Sequence, residues 1–242
     1  MTNYKLLLEY DGTDFFGWQV QPGLRTVQGE LERAIEVLVK EKVNLICAGR
    51  TDRGVHALGQ VANFKAAREM EPGVLLRALN AITPKDIVVR QVEVVEDDFH
   101  ARFSAVARQY IYYLSLRPIA IGRRYAFYFP HVLDFERMKE ASSHLLGEHN
   151  FEAFSKKMPE EKHYRCDVEA VEWVEEDHRI GFRIRANRFV HHMVRIILGT
   201  LLQVGRGILS VDQFKAILDQ GDRRHPGFKA PPHGLFLEKI YY

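Results

Sequence analysis

An α+β fold made of two similar halves is what this sequence predicts, on three observations. The hydrophobic pattern switches between the strand and helix periods in the order β-α-β-β-α-β, and the same order then returns in the second half. The 242 residues are enough for one large domain or two small ones, each with its own core. A seam near Ser104–Arg108 divides the chain into residues 1–105 and 106–242. The halves share no visible sequence identity, so the repeat is one of element order, and the sheets it builds are rich in antiparallel pairs.

Each element has its own signal. Tyr4–Tyr10 reads as a strand. Thr26 is placed to cap a helix whose apolar positions Val27, Leu31, Ala34, Ile35 and Leu38 form one stripe. Val43–Cys47 and Gln60–Phe64 are short strands on either side of a polar loop. Pro72, favourable at a first helical position, opens a helix with Val74, Leu75, Ala78, Leu79 and Ile82 on one face, and Ile87–Val95 closes the first half as a strand. In the second half Arg108–Leu116 alternates as a strand, and Phe135, Met138, Ser142 and Leu145 mark a helix. Val168–Glu175 and Ile180–Ala186 pair as strands before a long apolar helix over Phe189–Val204, with Gly205 as its stop. Ser210-Val211-Asp212-Gln213 is a capping box, and Leu235–Ile240 is the closing strand. Lys156–Lys162 reads as a mobile surface insertion and Gly221–His233 as a long loop.

Composition sets the class. At 46% hydrophobic and 27% charged the chain has the make-up of a soluble globular protein. The three leucines before Glu9 are too few for a signal peptide or anchor, and no apolar run reaches transmembrane length. Cys47 and Cys166 stand far apart, which excludes a zinc knuckle or disulfide framework and fits a reducing cytoplasm. Net charge is only +2, yet the charges are segregated. Phe99–Leu133 holds no acid but includes Arg102, Arg108, Arg117, Arg123 and Arg124, and His178–Val211 holds no acid but six arginines. Such segregation makes a basic face on a near-neutral protein, suited to phosphates, and arginine favours forked contacts with them.

The segment Ala48-Gly49-Arg50-Thr51-Asp52-Arg53-Gly54-Val55-His56-Ala57 carries the sharpest chemical signal. Asp52 is the only acidic residue between Lys42 and Arg68 and lies between Arg50 and Arg53. Neighbouring cations favour the ionised form of a carboxylate, so the loop can present a nucleophile or base to a polyanion. Thr-Asp-x-Gly is also an ordinary turn signal, with glycine at positive φ. Tyr110 lies on a strand whose alternation puts Arg108 and Tyr112 on its face, where a ring could pack in the core or stack on an extracted base. On the apolar helix, His191 and Arg195 stand i,i+4 along the edge, and Arg195 can reach inward to a carboxylate, for which Asp52 is the natural candidate. His191 and His192 are adjacent and face different ways, which does not make a metal pair.

GRTDRGVHA, with Glu9-Tyr10-Asp11-Gly12, Phe16-Gly17-Trp18-Gln19, Asp98 to Ala105, Phe189 to Arg195 and Gly234-Leu235-Phe236-Leu237, resembles the tRNA pseudouridine synthase A family from residue 9 to residue 237. The resemblance implies two ferredoxin-like halves joined into one extended sheet, with an active-site cleft between them. It implies isomerisation of uridines at positions 38, 39 and 40, in the anticodon arm of tRNA, by a cytoplasmic homodimer that needs no metal or cofactor. Carried over residue by residue, Asp52 is the nucleophile, Tyr110 stacks on the flipped uracil and Arg195 pairs with the aspartate. Arg50, Arg53, Arg102, Arg108, His191 and Leu235 complete the expected substrate contacts. Position 53, often small in that family, is arginine here, and Cys166 stands where threonine is usual.

The chemistry agrees with the residue types. Forming pseudouridine breaks the N1–C1′ bond, turns the uracil and rejoins it through C5, with no oxidation and no group donor. One carboxylate suits this, because the detached base is retained and not displaced by water. Attack at C1′, attack at C6 of uracil, and removal of a ribose proton all remain open for it. Two other classes compete: a non-catalytic RNA-binding module, disfavoured by the absence of an aromatic RNP signature, and an N-glycosidase that would release free uracil.

Overall fold

The computed structural model describes residues 1–156, 163–221 and 227–242. The insertion expected at Lys156–Lys162 falls almost wholly outside the described residues, as do residues 222–226 of the loop expected at Gly221–His233. The chain is mixed α+β and packs as two compact units, Met1–Val106 with Phe236–Tyr242, and Ala107–Leu235.

The first unit contains β1 (Thr2–Tyr10), α1 (Val27–Val39), β2 (Ile46–Cys47), β3 (His56–Ala66), α2 (Pro72–Ile82) and β4 (Ile87–Val95). β1 pairs antiparallel with both β3 and β4, and β2 pairs antiparallel with β3. The resulting order, β4-β1-β3-β2, is that of a ferredoxin-like split βαβ motif. The chain's last strand, β10 (Leu235–Tyr241), runs parallel to β3, with Phe236 opposite His56 and Leu237 opposite Ala57. Chain order alone would put β10 with the second half; its pairing puts Phe236–Tyr242 with the first.

Local chemistry explains these elements. On β1, Tyr4, Leu6, Leu8 and Tyr10 are buried in strict alternation. The Thr26 hydroxyl accepts the Gly29 N–H at the start of α1. Val27, Leu31, Ala34, Ile35 and Val39 bury its core face. Leu38, expected on that face, is half-buried, because the i,i+4 row from Val27 continues to Val39. Glu71 caps α2, its carboxylate accepting the Gly73 and Val74 N–H groups, which hold it below the usual carboxylate range. Leu75 and Leu79 are buried, whereas Val74 and Ile82 face outward.

The second unit contains β5 (Ala107–Ser115), β6 (Phe127–Tyr128), α3 (Phe135–Ser143), β7 (Gly147–Asn150), β8 (Arg165–Glu176), β9 (Arg179–Ala186), α4 (Met193–Gly205) and α5 (Val211–Gln220). Its antiparallel pairs give the order β5-β9-β8-β7, and β6 adds to β5 in parallel. A 3-10 turn at Phe151–Phe154 buries both of its phenylalanines. The capping box at Ser210 forms as its sequence predicts, with both reciprocal bonds present.

The long apolar helix departs from expectation at both ends. It begins at Met193 and not at Phe189, because His192 adopts a left-handed conformation with φ 66°, across which an α-helix cannot propagate. His191 is therefore outside the helix, and the i,i+4 relation with Arg195 does not form. Gly205 is the last helical residue, not the stop; a Cβ there would meet the Met138 sulfur at 2.5 Å, so glycine permits close packing of α4 on α3. Among the described residues no helix is long and apolar enough to cross a membrane.

Candidate active site

Asp52 is half-buried in the loop joining β2 to β3. The turn predicted for Thr-Asp-x-Gly is present: the Val55 N–H donates to the Asp52 carbonyl at 3.1 Å, with Gly54 at φ 76°. Arg50 and Arg53 on either side are exposed, and the Arg53 guanidinium lies 4.3 Å from the Phe16 ring centroid.

The loop is braced from beneath by buried polar groups. Tyr10, at the end of β1, shares a 2.7 Å hydrogen bond with the Thr51 hydroxyl, next to Asp52 in the chain. Gln60 on β3, fully buried, donates to the Gly49 carbonyl at 2.6 Å and accepts the Gly49 N–H at 3.4 Å. Its amide nitrogen also lies 3.5 Å from the Tyr10 hydroxyl. Residues on both sides of Arg50 are thus tied to the sheet. A buried polar network that is satisfied in this way fixes one geometry, because breaking it leaves desolvated groups unpaired.

The segment after β1 grips the same loop through backbone. The Trp18 N–H donates to the Thr51 carbonyl at 3.0 Å, and the Gly54 N–H donates to the Phe15 carbonyl at 3.3 Å. Gly17 has φ 91°, and a Cβ there would lie 2.7 Å from the Thr51 carbonyl oxygen. Arg25 lies over the Phe15 ring at 4.1 Å and grips Asp86 with both terminal nitrogens, at 2.7 and 2.9 Å. Bidentate geometry of this kind holds the segment in place and raises the Arg25 pKa.

At the end of β2, burial pushes the Cys47 thiol up to about 12, while the charges of Arg50 and Arg102 pull it the other way. Arg102 is exposed in the turn before the seam, its guanidinium 5.5 Å from the Phe103 ring centroid.

The second unit holds Tyr110, Arg108, Arg195, His191 and Leu235. Tyr110 on β5 is buried, and its ring meets Phe189 edge-on at 4.9 Å. Two residues along the strand, Tyr112 is wholly buried and donates to the Pro231 carbonyl at 2.7 Å. Arg195, in the first turn of α4, is only 6% exposed. Its Nε donates to the Ala230 carbonyl at 2.7 Å, and the Ala230 N–H donates to the Arg195 carbonyl at 3.0 Å. Two neighbours feel its charge. Burial raises the Tyr112 pKa while Arg195 opposes the rise; burial lowers the His233 pKa, and Arg195 lowers it further. Arg108 donates to the Asn187 carbonyl at 2.9 Å, Leu235 is buried at the start of β10, and His191 is half-buried with its ring 3.9 Å from that of His192.

Residues 7–104 and 141–242 match the family model described as tRNA pseudouridine synthase. The chain belongs to that family. It is similar to tRNA pseudouridine synthase A of Acetivibrio thermocellus, 43% identical over 244 residues and covering 100% of both chains. The Bacillus subtilis protein of the same name is 43% identical over 242 residues, covering 98% of each chain, and that of Chlorobium limicola is 43% identical over 243 residues, covering 100% of each. This tRNA pseudouridine synthase is therefore an isomerase that converts uridine to pseudouridine in tRNA. In the sequence, Glu9–Gly12 and Phe16–Gln19 stand out only as parts of the family resemblance. In the folded synthase Tyr10 and Gly17 brace the Asp52 loop together with Thr51 and Gln60. The pairing of Ala230 and the proximity of His233 to Arg195 had no sequence signal at all.

Proposed function

We propose that this synthase isomerises uridines at positions 38, 39 and 40, in the anticodon arm of tRNA, with Asp52 as nucleophile, Tyr110 as the ring that stacks on the flipped uracil and Arg195 as the partner of the carboxylate. The observation that carries the reading is the lone carboxylate of an otherwise acid-free segment, set on a turn whose flanking residues are held by Tyr10, Gln60 and the Gly17 backbone. Catalysis rewards a group held in one place, since misplacement by about 1 Å can cost 100-fold in rate. The acid-poor zones with Arg50, Arg53, Arg102 and Arg108 suit the phosphates of the arm, and His191 and Leu235 complete the proposed contacts. We take the working form to be a cytoplasmic homodimer, a state that light scattering of the purified chain tests directly.

The reaction moves one bond and one proton. The N1–C1′ bond breaks, a C5–C1′ bond forms, the proton on C5 is lost and N1 gains one, so the product is an isomer. Exclusion of water keeps the detached uracil from being replaced by hydroxide, a task for a buried ring such as Tyr110. Asp52 can attack C1′, attack C6 or take the C2′ proton. A primary isotope effect with 2′-deuterated uridine singles out the third route, and its absence leaves the two attacks.

Asp52→Asn should abolish pseudouridine formation in tRNA while binding survives, because the amide keeps the shape and loses the charge. Turnover near wild type would overturn the assignment. Mapping the modified positions in an anticodon stem-loop tests the site choice, and free uracil in the same assay would identify a glycosidase.

A further inference from the structure

Phe103 is the most exposed aromatic side chain among the described residues, at 76%. A single exposed apolar ring is ordinary on a protein surface; what sets this one apart is its setting between a second ring and a guanidinium on a tied turn. Its setting is fixed. The His100 ring lies 4.3 Å from it at an interplanar angle of 30°, and the Arg102 guanidinium flanks it at 5.5 Å.

The turn that carries Phe103 is rigidly tied. His100 Nδ1 accepts the N–H groups of both Arg102 and Phe103, at 3.2 and 3.3 Å. The His100 N–H donates to the Ser104 hydroxyl and the Ser104 N–H to the His100 carbonyl, which closes the turn on itself. Beneath it, the buried Asn63 accepts the Ala101 N–H at 2.9 Å, and the Tyr242 hydroxyl donates to the Ala101 carbonyl at 3.0 Å. The ring is therefore held out on a braced turn with little conformational entropy left to lose on binding. The cation nearest the ring is Arg102, whose charge, with that of Arg50, reaches Cys47 of the same unit; the acids Glu96 and Asp98 lie on the N-terminal side of the turn, lining a pocket with Phe99 and Ser104.

We propose that Phe103, with His100 behind it and Arg102 beside it, is a stacking platform for an unpaired nucleobase of the tRNA substrate, distinct from the target uracil assigned to Tyr110. Every base has a π face, so such a platform accepts any nucleotide, while the neighbouring guanidinium takes its phosphate. The proposal rests on the reading of this chain as a synthase that binds tRNA; the phosphate contact of Arg102 is a separate claim, and salt separates the two.

Anisotropy titrations of an unmodified tRNA transcript against the full chain, repeated over a range of salt concentrations, make the test. Phe103→Ala should weaken binding about 5- to 150-fold, the span of base–aromatic stacking, at every salt concentration and with the salt slope unchanged. Phe103→Leu, which keeps apolar bulk without a π face, should resemble Phe103→Ala. Phe103→Trp should retain affinity, with its emission quenched when tRNA binds. Arg102→Ala should instead flatten the slope of log affinity against log salt by about 0.7 to 0.9. An unchanged slope in that variant with a loss in Phe103→Ala refutes the phosphate reading and leaves the platform standing. Affinity within twofold of wild type in Phe103→Ala overturns the proposal. So does a change in light-scattering mass with affinity intact, which would assign the ring to a protein contact.

Discussion

Replacing Gly17 by alanine should separate the bracing of the Asp52 loop from the general cost of a strained residue. Gly17 has φ 91°, where an L side chain costs about 1–2 kcal/mol. The added Cβ would stand 2.7 Å from the Thr51 carbonyl oxygen and 3.2 Å from both the Asp52 carbonyl carbon and the Arg53 nitrogen. All three are backbone atoms, so the loop itself must move. Gly23 supplies the control: it has φ 73° and nothing within 4 Å of its would-be Cβ. Gly23→Ala should therefore cost about 1–2 kcal/mol of stability and leave kcat unchanged. Gly17→Ala should cost about 2–4 kcal/mol and lower kcat at least about tenfold, since a displaced carboxylate loses its alignment. Urea unfolding and steady-state pseudouridine formation on one tRNA transcript at saturating concentration measure both quantities. Equal kcat in the two variants would refute the claim that Gly17 sets the position of Asp52.

Tyr10→Phe removes one hydroxyl and leaves Thr51 short of a buried partner, which should cost about 1–3 kcal/mol of stability. It should lower kcat with little change in KM for tRNA, and an unchanged kcat would show that the network holds the fold without positioning the loop. His233 has its folded pKa lowered below 6.5 by burial, with Arg195 adding to the effect. The unfolded chain then binds the proton more readily, so the stability it contributes is intact above pH 6.5 and is lost as pH falls through the folded value. His233→Gln should lessen the fall in urea midpoint between pH 7.5 and 5, and an identical fall in both proteins would contradict the assignment.

Most of the regular structure was legible because its signals are local. Periodicity in β1, the Thr26 cap, Pro72 at a helix start and the Ser210 capping box each depend on a few neighbouring residues, and each is realised. What escaped was either too short or not local. β6 has two residues, and β7 is the polar run Gly147-Glu148-His149-Asn150, so neither carries an alternating pattern. The left-handed His192 truncates α4; histidine is enriched in that conformation, but most histidines do not adopt it, so the residue type alone does not mark a helix start. The bracing of Asp52 joins residues 41 and 50 positions apart, through Tyr10 to Thr51 and to Gln60.

Topology nevertheless brings those distant residues together. In a βαββαβ unit the first and third strands are antiparallel neighbours, so the end of β1 must lie beside the beginning of β3. The register runs from Thr2 opposite Ala66 to Tyr10 opposite Ala57, with an irregularity between Leu8 and Tyr10. Whatever follows Tyr10 is then forced against whatever precedes His56, which is the Asp52 loop. Glu9-Tyr10-Asp11-Gly12, Phe16-Gly17-Trp18-Gln19 and GRTDRGVHA are three motifs in the sequence and one structural unit in the fold. Gly12 shows how close they come: its N–H donates to His56 Nδ1 at 3.0 Å, and a Cβ on it would stand 1.9 Å from the Val55 carbonyl oxygen. The small residues at positions 12 and 17 are thus consequences of where the pairing of β1 with β3 delivers the chain, and the backbone of the Asp52 loop is held in place by that pairing.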